Sequence, residues 1–159
     1  MARDAISRQY DVQKNSMIYT CEGEKGSYRP GVITFYAKKG KSLDLDKLRE
    51  SITATRLSGG TSMKVDYLEL TVIGDVQLGD KESVLRVSGT EQQFVLDEDA
   101  SAKGSLQKLH DAVKRGDKIA NVTGRVAGWN GAFPAVLRAL AKTADQRPQL
   151  LVTGFEVKK

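Results

Sequence analysis

The chain of 159 residues has one cysteine, one histidine, one tryptophan and three prolines, and aromatic residues make up only 6% of it. Each scarcity removes a class of function. The lone thiol, Cys21, excludes a disulfide within the chain and any zinc or iron–sulfur site built from several thiolates of one chain. As a nucleophile Cys21 would need an imidazole nearby, and the sequence offers only His110. No stretch reaches the roughly 18 consecutive apolar residues of a membrane-spanning helix, so no membrane span is expected. The opening residues "MARDAISRQYDVQ" carry neither an apolar core nor a small-residue cleavage site. The expected location is therefore cytoplasmic, or exported as a mature form whose signal has been removed.

Net charge is also missing from most of the chain. Residues 1–64 hold 12 Lys and Arg against 7 Asp and Glu, whereas residues 65–159 hold 13 against 13, so the whole excess of +5 lies in the first part. A protein that grips nucleic acid through many phosphates needs a clustered positive face, and the second part has no net charge from which to build one. At 40% hydrophobic, the length allows one ordinary domain or two very small ones.

What is present begins with a motif that invites a nucleotide. Gly40-Lys41-Ser42 repeats the end of the phosphate-binding loop G-x-x-x-x-G-K-[ST], but Phe35 stands where the loop needs its first glycine. The residues after Ser42 enter a helix only through a Leu-Asp pair, so Lys41 is not at a loop-to-helix junction. Lys38, Lys39, Gly40 and Lys41 read instead as a solvated turn between a strand and a helix.

Along the chain, "QYDVQKNSMIYTC" is a weak strand signal, and "GVITFYAK", with its β-branched and aromatic run, is a stronger one. Asp44 reads as an N-cap for a helix with Leu45, Leu48 and Ile52 on one face, closed by Gly59-Gly60. "VDYLELTVIGDVQL" is a long strand whose length invites a bend near Gly74. "SVLRVSG" and "QQFVLDED" form a hairpin joined near Gly89 and Thr90. "SLQKLHDAVKRG" is a helix with Ser105 as its N-cap and Gly116 as its terminator. "KIANVTGRVAG" is a strand, "PAVLRALAKTAD" a helix opened by Pro134, and "PQLLVTGFEV" the closing strand. Alternation and helical spacing put Val72, Val76, Leu85, Val87, Phe94, Leu96, Leu109, Val113, Ile119, Val122, Val126, Leu137, Leu140, Leu151 and Phe155 in the core of the second part.

The fold class is α+β, mostly β, in two parts. Residues 66–159 resemble an OB-fold, the five-stranded Greek-key barrel with a helix between its third and fourth strands; "LTVIGDVQL", "GDKIANVTGRV" and "QLLVTGFEV" carry the likeness as first, fourth and fifth strands. In residues 1–65, "GVITFYAKKGKSLDLDKLRESITATRLSGG" followed by "DYLELTV" resembles the second half of a heavy-metal-associated domain, a ferredoxin-like fold. That family holds a soft metal between two cysteines of a C-x-x-C loop. Here the comparable point reads "YTCEGEKG", where Glu24 stands in place of a second cysteine, so neither a metal nor any other cofactor is expected. The two likenesses together imply a small ferredoxin-like half packed on an OB-like barrel.

The loop "GRVAGWNGAFP", residues 124–134, corresponds to a connection with which OB-folds contact oligonucleotides or oligosaccharides. Trp129, bracketed by glycines, either swings out to stack on a ligand or folds back with Phe133 as a plug over the barrel end. The candidate ligand-binding residues are Trp129, Asn130, Phe133 and Arg125, with Lys38, Lys39 and Lys41 as a basic adjunct. His110 is expected to be a half-exposed helix residue, and Cys21 a small buried one. "DLD" at 44–46 and "DED" at 97–99 read as helix-start and turn chemistry rather than as general acid and base. No pair of carboxylates, Ser/His/Asp set or metal-ligand cluster stands out, so the expected function is non-catalytic: a binding or assembly module recognising another protein or its own copies, with residues 10–38 as the expected surface for either. The alternative is a single-stranded nucleic-acid-binding protein, and a third reading is metal handling.

Overall fold

The computed structural model describes residues 6, 18–21, 31–54, 67–128 and 147–159. The chain divides into two compact units, Met1–Met63 and Lys64–Lys159. Its class is α+β, mostly β. No described helix is long and apolar enough to cross a membrane.

In the first unit, β1 (Ile18–Cys21) pairs antiparallel with β2 (Gly31–Thr34), with Tyr19 opposite Ile33. The strand signal at 18–21 thus finds its partner within the same chain. A turn follows in which the Lys41 amide donates to Lys38 O at 3.1 Å and Gly40 takes φ 71°, a value that favours glycine. Helix α1 (Leu45–Thr53) starts because the Asp44 carboxylate accepts from the Lys47 amide at 3.0 Å. The Gly-Lys-Ser sequence therefore lies in a turn, separated from the helix by Leu43 and Asp44. Leu48 and Ile52 are buried and Leu45 is half-buried, the expected face. The helix stops at Thr53, capped by the Ala54 amide on Glu50 O. That end comes before Gly59-Gly60, which lie outside the described residues.

The second unit is a six-stranded mixed sheet in the order β3-β7-β8-β6-β5-β4. Its strands are β3 (Glu69–Val72), β4 (Gly74–Leu78), β5 (Ser83–Val87), β6 (Gln93–Glu98), β7 (Ile119–Val126) and β8 (Gln149–Val157), with helix α2 (Ser105–Lys114) between β6 and β7. All neighbours are antiparallel except β6 and β8. The two outermost strands, β3 and β4, are consecutive in sequence, separated only by Ile73. One segment thus forms both ends of the sheet. The bend is possible because residue 74 is glycine: a Cβ there would stand 2.1 Å from Arg86 O. The "DYLELTV" segment, expected to close the small first sheet, instead supplies β3, which pairs with β7.

The β5–β6 hairpin turns at Gly89, φ 74°, with Thr90 N donating to Val87 O at 3.2 Å. Helix α2 departs from expectation at its start. Gly104, φ 84°, occupies the N-cap and Ser105 is the first helical residue, whose hydroxyl donates to Thr153 O at 3.3 Å. Ser105 is thereby spent on tethering the helix to β8. The helix ends as expected at Gly116, φ 86°, where Asp117 N donates to Ala112 O and Gly116 N to Val113 O, each at 3.0 Å.

The core holds Val72, Leu85, Phe94, Leu96, Leu109, Val122 and Val126, together with Leu68, Val95, Ala112, Leu150 and Val152. Val76, Val87, Val113, Ile119, Leu151 and Phe155 are only half-buried. Leu151 was assigned the wrong face: in the run "QLLVTG" either leucine can start the alternation, and the pairing of Leu150 with Leu96 and Val126 decides for Leu150 and Val152. Val95 is buried although it lies between inward Phe94 and Leu96. Leu137 and Leu140, with the helix expected from Pro134, lie outside the described residues.

Phe94 is 1% exposed at the centre of this core. Phe94→Ala is expected to cost about 3–5 kcal/mol in urea unfolding. Gly74→Ala, a single added methyl, is expected to cost about 1–3 kcal/mol because it drives the bend against backbone rather than against a side chain that can turn away.

Candidate functional site

Of the seven candidate residues, Arg125 is the one described in the second unit. On β7, Val122, Gly124 and Val126 are buried, so Thr123 and Arg125 face outward. On β3, Glu69 and Thr71 face outward in the same way. Pairing of Glu69 with Arg125 and of Thr71 with Thr123 places these side chains side by side.

The Arg125 guanidinium lies over the ring of Tyr67, 4.3 Å from its centroid, and its Nε is 3.9 Å from Glu69 Oε2. Tyr67 is 46% exposed, so its ring presents a stacked cation and an aromatic edge to solvent. The Arg125 Nε is itself buried and makes no hydrogen bond. Below this pair, Thr71 and Thr123 share a hydroxyl–hydroxyl hydrogen bond of 3.0 Å, and Thr153 Oγ1 donates to Thr123 O at 3.3 Å. Asn121 Nδ2 donates to Glu156 Oε2 at 2.9 Å. The outer surface of β3 and β7 is thus largely polar, with Tyr67 and Arg125 at one end and Leu151 of β8 beside Arg125.

Asp99 feels the same cation. It closes the turn after β6, where Oδ1 accepts from the Ser101 amide at 2.7 Å and from the Ser101 hydroxyl. The Ser101 hydroxyl is the main cause that holds its carboxyl below the ordinary 3.8; desolvation opposes this, and the Ser101 amide and the charge of Arg125 add to it. The side chain is 6% exposed, shielded by its own turn. The "DED" segment does contain the turn chemistry expected of it.

Trp129, Asn130 and Phe133 lie outside the described residues, but the residues on either side of 129–146 are described. Ala127 N donates to Gln149 O at 3.0 Å, and Val95 N donates to Pro148 O at 2.9 Å. Arg147 forms an ion pair with Glu82 in the β4–β5 turn. The described residues on the two sides of 129–146 are thus held together, through β8, β6 and the β4–β5 turn. Lys38, Lys39 and Lys41 share the turn of the first unit, with Lys39 and Lys41 exposed and Lys38 half-buried.

One pairing was not visible in the sequence. Ser83 Oγ and His110 Nε2 are 2.9 Å apart, joining β5 to α2. A serine and a histidine in contact suggest a nucleophile and its base, yet Ser83 is only 5% exposed. The contact satisfies a buried hydroxyl where the helix meets the sheet, and His110 is half-buried as expected. Tyr67 and Glu69 were also missed. Their signal is the i, i+2 spacing of outward positions, which becomes meaningful only when β7 brings Arg125 opposite. Among the described residues, no three His, Cys, Asp or Glu side chains are grouped to hold a metal ion; the side chain of Cys21 lies outside them. Comparison with protein-family models, with curated proteins and with solved structures finds no match to the chain.

The lowered value of Asp99 fixes the sign of its pH effect. Its contribution to stability is complete above the ordinary 3.8 and is lost as pH falls through the lower folded-state value. Asp99→Asn is expected to lower stability at pH 7 by about 1 kcal/mol, with the difference shrinking below pH 3.8, as read from urea midpoints at both pH values.

Proposed function

We propose that the chain is a non-catalytic binding or assembly module whose second unit is an OB-type barrel, and that it recognises another protein or further copies of itself. The barrel reading is supported by the strand order. With β3 and β4 taken as two halves of a first strand, the order around the sheet is 1-4-5-3-2-1, and the one parallel contact joins the third and fifth strands. A helix between the third and fourth strands, α2, completes that likeness. In the first unit the described hairpin and α1 are in keeping with the second half of a ferredoxin-like fold.

The observation that carries the binding reading is the outward Tyr67–Arg125 pair flanked by Glu69. Tyrosine and arginine are the side chains most often found as energetic anchors in protein interfaces. Here a cation, an anion and an aromatic ring share a few rungs of a rigid sheet, which suits a partner offering mixed polar chemistry more than a uniform polyanion. A second reading, single-stranded nucleic acid, is favoured by the same stacked pair, because both groups also stack on bases. Against it stand Glu69 and Asp99, whose charges surround Arg125.

Titration of the full chain with single-stranded oligonucleotides over a salt series, followed through Trp129 fluorescence, separates the two. No response even at low salt is expected. Quenching that weakens steeply with salt would select the nucleic-acid reading.

A further inference from the structure

One hydrogen bond decides which backbone groups of β3 are already used. Val126 N donates to Leu68 O at 2.9 Å, so Leu68 and Val126 are a hydrogen-bonded pair at the start of the antiparallel β3–β7 ladder. Such pairs alternate, which makes Leu70–Gly124 and Val72–Val122 bonded pairs and leaves Glu69–Arg125 and Thr71–Thr123 as non-bonded ones. Ala127 N, donating to Gln149 O, agrees with this phase, because it turns the backbone of Arg125 toward β8. The N–H and C=O groups of Glu69 and Thr71 therefore point away from β7. Among the described strands β3 is hydrogen-bonded to β7 alone, so these groups form an unpaired edge. The edge ends at the corner, where Ile73 O accepts from Ser88 N.

The side chains along this edge on the outward side are Tyr67, Glu69 and Thr71, all exposed. Proteins commonly protect an edge strand with a charge that overhangs it. Here the one charge leans the other way: Glu69 Oε2 is 3.9 Å from Arg125 Nε on β7, and the carboxylate accepts no hydrogen bond among the described residues. Donors and acceptors that recur at every second residue, roughly 7 Å apart, match an extended peptide backbone. A phosphate backbone offers acceptors only and leaves the carbonyls unanswered.

We propose that the Glu69–Thr71 edge is a docking site for an extended segment of a partner protein, added antiparallel to β3 with a lysine or arginine opposite Glu69. This rests on the binding reading above and names its surface and the partner's pattern. Charge complementarity selects the basic residue: Glu69 is the only charge on the edge, and across a strand pair an opposite charge is favourable where a like one is not. Tyr67 lies two positions away on the same side, so the partner residue facing it is aromatic or β-branched and packs against the ring. A second copy of β3 is a poorer occupant. Its sequence, Glu-Leu-Thr-Val, offers Glu69 no cation.

The test is proton–nitrogen NMR of the full chain. In the free chain the Glu69 and Thr71 amides are expected to exchange with solvent faster than those of Leu70 and Val72, and equal protection overturns the unpaired edge. The probe is a hairpin peptide closed by Asn-Gly, whose pairing strand reads Thr-Val-Lys-Val-Tyr and is held extended before it binds. It should shift and protect the Glu69 and Thr71 amides with a Kd below about 1 mM. The same hairpin with Glu for Lys should bind at least about threefold more weakly, and Glu69→Lys should reverse the order of the two. Thr71→Pro removes an edge amide but no bond to β7, so it should keep the fold by circular dichroism and lose the hairpin. Where that variant does not fold, Glu69→Lys decides. Two hairpins that bind equally, or not at all, overturn the proposal and leave the binding reading to the outward side chains. Protection of the same amides that grows with chain concentration, without peptide, overturns it in favour of a second copy and leaves assembly standing. The same shifts produced by a single-stranded oligonucleotide overturn both the proposal and the protein-binding reading.

Discussion

The second unit depends on a single close approach, that of the backbone at Gly74 to the carbonyl of Arg86. A side chain at that point would stand 2.1 Å from Arg86 O, inside any possible contact. Without one, the segment from Glu69 to Leu78 can turn at Ile73 and pair with β7 on one side and β5 on the other. Ser88 N, donating to Ile73 O at 3.0 Å, holds the corner. A second close approach supports it: a Cβ at Gly124 would meet Leu151 O at 2.6 Å, where β7 and β8 lie across a register shift. Both glycines are required by proximity rather than by backbone angle.

Returning the sheet to its own first segment has a consequence for recognition. Open sheets can bind by adding a strand to an unpaired edge. Here the two outermost strands are halves of one segment, each hydrogen-bonded to a single neighbour. Ser105 and Ser83 show how the interior is committed: both hydroxyls tie α2 to the sheet, through Thr153 O and His110. The Tyr67–Arg125 pair, by contrast, lies on the outward side of β3 and β7.

How much of this is legible in the sequence depends on the range of the interaction. The Asp44 cap, the hairpin at Gly89, the end of α2 at Gly116 and the bend near Gly74 are local, set by residues a few positions apart, and each is readable. Ser105 misled because the local rule favours serine as an N-cap, whereas a carbonyl on β8 competes for its hydroxyl. Leu150 and Leu151 are equally apolar, so their faces are fixed only by β6 and β7. Of the candidate site, the local pattern around residues 124–134 yielded Arg125, but Tyr67, Glu69 and Asp99 come from elements far apart in sequence, and no spacing rule joins them. The zero net charge of residues 65–159 was legible and uninformative by itself, since a sum cannot show where its terms are placed.

The Tyr67–Arg125–Glu69 group is poorly explained as a device for stability. A guanidinium over an exposed ring contributes about 0.5–1 kcal/mol. An exposed ion pair adds about 0–1 kcal/mol, and Nε and Oε2 at 3.9 Å are at the long end of that class. Against these gains, the buried Nε without a hydrogen bond costs about 1–3 kcal/mol. The gains and the cost roughly cancel, so folding free energy gives little reason for an arginine rather than a threonine like the one at position 123 on the same face. The arrangement is exposed and fixed to two strands by backbone pairing. The group is therefore consistent with the binding role proposed for the outward face of β3 and β7, since the fold alone gives little reason for it.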